Sequence, residues 1–70
     1  MANVTKTSTG YIFERLNAAG MKLVNEFQRH HPDLCEPSSE PTFRFIRRGG
    51  SAEDNHALGE LIAMVRARDK

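Results

Sequence analysis

Three prolines, Pro32, Pro37 and Pro41, are the only ones in the chain, and all fall within a ten-residue stretch. Proline fixes φ and lacks a backbone donor, so neither a helix nor a central strand runs through that stretch. The prolines divide the sequence into an N-terminal piece, a Pro/Ser/Glu loop over 32–41 and a C-terminal piece. With 70 residues in total there is room for one domain only. A chain of this size buries about 60% of its unfolded surface, so its core is thin unless a partner completes it.

In the N-terminal piece Ile12, Phe13, Leu16, Gly20, Leu23, Val24 and Phe27 recur at helical spacing, with Glu14, Arg15, Asn17, Lys22, Asn25, Glu26, Gln28 and Arg29 opposite them. Ser8 and Thr9 offer N-cap hydroxyls, and Pro32 disfavours the α conformation at His31. The spacing predicts one amphipathic helix over 9–30. Gly20 on its apolar face costs about 1 kcal/mol against Ala. It is either tolerated there or marks close approach of another backbone, such as a second copy of the same helix. Residues 1–8 read as a flexible arm or a short strand.

After the loop, Thr42-Phe43-Arg44-Phe45-Ile46-Arg47-Arg48 is rich in aromatic and β-branched residues and reads as a strand over 42–48. The competing reading is a short helix with Ser39 as N-cap, Pro41 in its first turn and Gly49 past its end. Ser51-x-x-Asp54 resembles a capping box, and Glu53 and Asp54 suit the positive end of a helix dipole. Leu58, Leu61, Ile62 and Val65, flanked by Ala57 and Met64, form an apolar stripe, and Arg66, Arg68 and Lys70 suit the negative end. The second helix is expected over 51–68.

The fold class predicted is a small, α-rich α+β domain in which two amphipathic helices flank one short strand. An all-α chain with a short middle helix is the alternative. A single strand leaves its N–H and C=O groups unpaired. Pairing with residues 2–7 is one solution; pairing with a second copy is the other, and a core this thin favours it. A homodimer is therefore expected, with Ile12, Leu16, Gly20, Leu23, Phe27, Leu58, Leu61, Ile62 and Val65 at its core.

Chemistry-bearing constellations are sparse. His31-x-x-x-Cys35 could bring an imidazole and a thiolate to one Zn²⁺, with Asp33, Glu36 or His56 completing the set, but structural zinc sites show two ligand pairs. Solvated histidines at a helix end explain the same residues, so no metal and no cofactor is expected. Cys35 has no recognisable oriented base or oxyanion hole, and Gly49-Gly50 is an isolated pair rather than a phosphate loop. Glu26, Asp33, Glu36 and Glu40 show no catalytic pairing. The chain is not expected to be an enzyme.

Arg44, Arg47 and Arg48 beside Phe43 and Phe45 make the stronger signal. Arginine and aromatic side chains are enriched in protein interfaces, and they also serve in nucleic-acid binding. The net charge of +1 falls short of the strongly basic face nucleic-acid binders use. The function expected is therefore a small interaction protein that binds and modulates or inhibits a larger protein, acting as an inhibitor or adaptor. Phe43, Arg44, Phe45, Arg47, Arg48, Tyr11 and Met21 are its contact residues. Compact, motif-free chains of this kind suit a phage or another mobile element. A nucleic-acid-binding, transcription-regulating dimer using Arg44, Arg47 and Arg48 is the alternative. One cysteine and no apolar run of membrane-spanning length fit a cytoplasmic protein with no membrane partner.

Overall fold

Asn17 decides where the first helix begins. Its backbone is extended (φ −81°, ψ 179°) and its Oδ1 accepts from the Gly20 N–H at 2.7 Å, satisfying one of the open donors of a helix's first turn. In the computed structural model, which describes residues 2–37 and 39–68, that helix runs Ala18–His30 (α1). Two strands precede it, Asn3–Lys6 (β1) and Gly10–Glu14 (β2). A third, Arg44–Arg47 (β3), follows the loop, and Ala52–Arg68 (α2) comes last.

The three strands form one antiparallel sheet in the order β1-β2-β3. This corrects both expected fold classes: the chain is neither two helices around a lone strand nor all-α. The continuous helix over 9–30 is replaced by a strand, a short link and a shorter helix. Gly10-Tyr11-Ile12-Phe13-Glu14 is aromatic and β-branched, and a hairpin supplies the partner that a five-residue run needs. The hairpin turn is closed by Thr7 N–H to the Gly10 carbonyl at 2.8 Å and by Gly10 N–H to Thr7 Oγ1 at 3.0 Å. Arg15, at φ 55°, turns the chain out of β2, a left-handed conformation that few non-glycine residues adopt. Leu16 N–H then still reaches the Thr42 carbonyl at 3.2 Å.

Registers are Thr5↔Ile12 and Val4↔Phe13 for β1 with β2, and Ile12↔Phe45 and Tyr11↔Ile46 for β2 with β3. The lone-strand problem is thus solved within one chain. On its other side β3 meets the loop: Cys35 bridges Ile46, Glu36 N–H donates to Phe45 C=O at 3.1 Å, and Arg47 N–H to Leu34 C=O at 2.7 Å.

Both helices lie on the same side of the sheet, because Phe13 and Ile46 join Val24 and Phe27 of α1 and Leu58, Leu61, Ile62 and Val65 of α2 in a single core with Leu16 and Leu34. The helices run antiparallel. Asn17 Nδ2 donates to the Arg68 carbonyl at 3.2 Å at one end, and His31 Nδ1 lies 3.4 Å from Asp54 Oδ1 at the other. Of the residues expected at a dimer core, Leu16, Phe27, Leu58, Leu61, Ile62 and Val65 are buried within this one chain. Gly20 is buried too, but a Cβ there would meet Leu16 Cδ2 at 3.1 Å and Asn17 Oδ1 at 3.2 Å, so its close neighbours belong to its own chain. Leu23 packs at the core's margin. At α2, Ser51 Oγ accepts from Asp54 N–H at 3.2 Å as a capping box requires, while the Asp54 carboxylate turns to His31. Lys70, expected at the end of this helix, lies outside the described residues.

Two substitutions test this frame by urea unfolding. Asn17→Ala removes the N-cap and is expected to cost about 1 kcal/mol. Gly10→Ala is expected to cost more, because its Cβ would sit 2.8 Å from Arg47 Cα and push β2 from β3. A neutral Gly10→Ala would contradict the β2–β3 register.

Candidate functional site

Alternation along β2 and β3 sorts their side chains onto two faces. Tyr11, Phe13, Arg44 and Ile46 share the helix-covered face; Ile12, Glu14, Phe45 and Arg47 share the other. Phe13 and Ile46 are fully buried, whereas Ile12 and Phe45 are partly exposed and lie outside the core packing. Thr5, Ile12 and Phe45 are directly opposite one another across the three strands, making a row on the uncovered face. Phe43, two residues ahead of Phe45, is 36% exposed.

The expected contact residues are accordingly dispersed. Arg44 lies on the helix side, where Nη1 donates to Asn25 Oδ1 at 2.8 Å and to Gln28 Oε1 at 3.5 Å, and Nε donates to the Pro41 carbonyl at 3.2 Å. It fastens α1 and the loop to β3. Arg48 Nη2 donates to the Thr7 and Ser8 carbonyls at 3.3 and 3.4 Å, while its N–H donates to Thr9 C=O at 2.9 Å, so it pins the β1–β2 turn. Arg47 is on the open face; its guanidinium donates to the Asp33 carbonyl and its Nε lies 3.4 Å from Glu36 Oε1. Tyr11 and Met21 pack against the core from the helix side. The structure therefore brings Phe45 and Arg47 together with Phe43 nearby, and separates Arg44, Tyr11 and Met21 from them.

Ile12 is the residue that sequence reasoning assigned to the wrong environment. Read as part of a helix it belongs with Leu16; read as a strand residue it alternates with Tyr11 and Phe13 and faces the other way. The signal was the aromatic, β-branched run Tyr11-Ile12-Phe13 itself.

The structure gives His31 and Cys35 separate neighbours. The His31 ring stacks on Phe27, with centroids 4.6 Å apart, and points Nδ1 at Asp54. Cys35 is bound into the sheet margin opposite Ile46. Burial pushes its thiol above the usual range, Asp33 adds to the rise, and Arg44 opposes it. A thiol held protonated is a poor ligand and a poor nucleophile. Among the described residues no group of three or more His, Cys, Asp or Glu could hold a metal ion. No described helix is long and apolar enough to cross a membrane.

The two faces carry opposite expectations for stability. Phe13→Ala is expected to cost about 3–5 kcal/mol in chemical unfolding, against less than about 1 kcal/mol for Ile12→Ser or Phe45→Ser. Equal losses would mean that the second face is buried as well. The raised thiol pKa predicts that Cys35 alkylates more slowly at pH 8 than a thiol in an unfolded peptide. It also has a sign for stability: the protonated thiol is favoured in the fold, so its contribution is present below the unfolded pKa and is lost as pH rises through the folded one. Cys35→Ser should therefore flatten the alkaline limb of a stability profile, and an unchanged limb would contradict the shift.

Comparison of the chain with protein-family models, with curated proteins and with solved structures finds no match, so any functional reading rests on the geometry of the two faces.

Proposed function

We propose that the protein is a small, non-enzymatic interaction module that binds and modulates a larger protein through its open sheet face. The observation that carries this reading is the Ile12–Phe45 pair, set side by side on the uncovered face of a sheet whose other face already supplies the core. Branched and aromatic side chains on a regular backbone are pre-organised, so little entropy is lost when a partner covers them. Phe43, at 36% exposure, extends the apolar area toward the loop, and Arg47 supplies the polar rim.

The occupant that fits is a folded protein presenting an apolar patch with carboxylates beside it. Arg47 and Glu36 are both about half exposed, with side-chain exposures of 52% and 47%, and such surface pairs contribute at most about 1 kcal/mol. A partner's carboxylate can replace Glu36 at small cost. The nucleic-acid alternative needs Arg44, Arg47 and Arg48 free to grip phosphates. The internal partners of Arg44 and Arg48 favour the protein reading instead. In this reading the module is a cytoplasmic homodimer that presents the face twice, and its cysteine stays reduced there.

Immobilised wild-type protein and the double variant Ile12→Ser/Phe45→Ser, each incubated with host lysate with and without nuclease, test the reading. Proteins retained by the wild type should survive nuclease and be lost from the variant, since removal of a hot-spot side chain costs about 2 kcal/mol or more. Equal retention by both, or loss of all captured material on nuclease treatment, would contradict it. The second outcome would move the function to the arginines and nucleic acid, with affinity falling steeply as salt rises.

A further inference from the structure

The sheet has two edges, and the chain closes one of them itself. Along β3 the loop takes up the open groups: Glu36 N–H donates to the Phe45 carbonyl at 3.1 Å and Arg47 N–H to the Leu34 carbonyl at 2.7 Å. The other edge is β1, and no described residue adds a further strand to it. The hairpin shows which of its backbone groups face outward. Thr7 N–H donates to the Gly10 carbonyl at 2.8 Å, so Thr7 and Gly10 are a hydrogen-bonded pair. Such pairs alternate with non-bonded ones along an antiparallel ladder. Thr5 and Asn3 therefore bond inward to β2, and Val4 and Lys6 hold their N–H and C=O groups out at the edge. Asn3, Thr5 and Lys6 are exposed, so the edge is accessible from both faces.

We infer that a second copy of the chain closes this edge, β1 pairing antiparallel with β1 about a two-fold axis that passes through Thr5 perpendicular to the sheet. The backbone selects this arrangement. Val4 and Lys6 lie one residue to either side of Thr5, so the axis sets the outward groups of each against those of the other, as an isologous contact requires. Val4 of one copy and Lys6 of the other exchange both of their bonds, and the symmetric pair repeats them, which leaves none of these groups open. Other axes within the strand fail. One at Lys6 sets two ammonium groups against each other, and one at Asn3 or Val4 needs Ala2, which lies outside β1. At the axis Thr5 meets Thr5 in a close non-bonded pair on the open face, a favourable cross-strand pairing. On the helix side Lys6 lies over Val4, so no like charges are opposed.

The axis keeps both helix layers on one side of a six-stranded sheet and joins two Thr5–Ile12–Phe45 rows end to end on the other. The docking face proposed above becomes one continuous surface. The inference rests on the homodimer in that reading and assigns its interface. It differs from the dimer expected from the sequence, whose core residues are mostly interior to one chain.

Light scattering and sedimentation equilibrium across the micromolar to millimolar range test the inference. Wild type should approach twice the monomer mass of 7.9 kDa as concentration rises. Lys6→Pro deletes an outward N–H and leaves the β1–β2 ladder intact, at a position where an edge strand accepts proline. It should weaken association about tenfold or more, because two of the four bonds are lost. Thr5→Glu should do the same by setting two carboxylates together at the axis, whereas Thr5→Val should stay within about threefold of wild type. Both positions are exposed, so circular dichroism should show the fold unchanged; if Lys6→Pro unfolds the hairpin, Thr5→Glu decides alone. A monomer at every concentration would overturn the inference together with the homodimer. A dimer insensitive to Thr5→Glu and Lys6→Pro would overturn the inference alone. Dissociation by Ile12→Ser/Phe45→Ser or by Met64→Glu in their place would move the contact to the sheet face or to the helices.

Discussion

Ile12 and Phe13 are neighbours in the chain and face opposite ways across a sheet one residue thick, and the remainder of the architecture follows from that opposition. Phe13 is fully buried beneath the two helices. Around it gather Ile46 from β3, Val24 and Phe27 from α1 and four side chains from α2. Ile12 is thereby committed to the other face, where its cross-strand neighbour is Phe45. A shift of one residue in either register would exchange these roles and expose the core. Gly10 guards against the shift because its backbone approaches Arg47 more closely than any side chain would allow, and Asn17 ends the strand-to-helix link at a fixed point.

Sequence pattern and structure agree over α2, where the Ser51 cap, the acidic first turn and the stripe Leu58, Leu61, Ile62, Val65 coincide. They part over residues 9–17. Ile12, Phe13 and Leu16 satisfy helical spacing by accident, because a five-residue strand is too short for its alternation to outweigh a longer periodic pattern running on behind it. Ser8 and Thr9 looked like caps, yet they belong to a hairpin turn, and the functioning cap is Asn17, which the helical reading had placed on a polar face. For residues 2–7 the sequence offered only pairing with the 42–48 strand, whereas β1 pairs with β2, a partner hidden by the helical reading of residues 10–14. At the candidate site Phe43, Phe45 and Arg47 were legible from composition, while Ile12 required the strand assignment. The internal roles of Arg44 and Arg48 required the fold, because their acceptors lie 19 and 41 residues away in the chain.

The arginines also explain how so small a chain holds its loops. Arg44 ties β3 to α1 and to Pro41, Arg47 ties β3 to the loop at Asp33, and Arg48 ties the end of β3 to the β1–β2 turn. Hydrogen bonds from a guanidinium contribute about 1.5–3 kcal/mol when shielded and less at the surface. What looked in the sequence like a binding patch is in large part a set of fasteners around β3. The binding surface proposed here is correspondingly more apolar and less basic than the sequence suggested.

The most direct test of this account is the response of the side-chain NMR signals to a soluble paramagnetic probe. The two-faced sheet predicts strong broadening of the Ile12 methyl and Phe45 ring signals and protection of Phe13 and Ile46, with an Ile12–Phe45 Overhauser contact. Protection of Ile12 together with contacts to Leu16 one helical turn away would restore the continuous helix and remove the open face on which the proposed function stands.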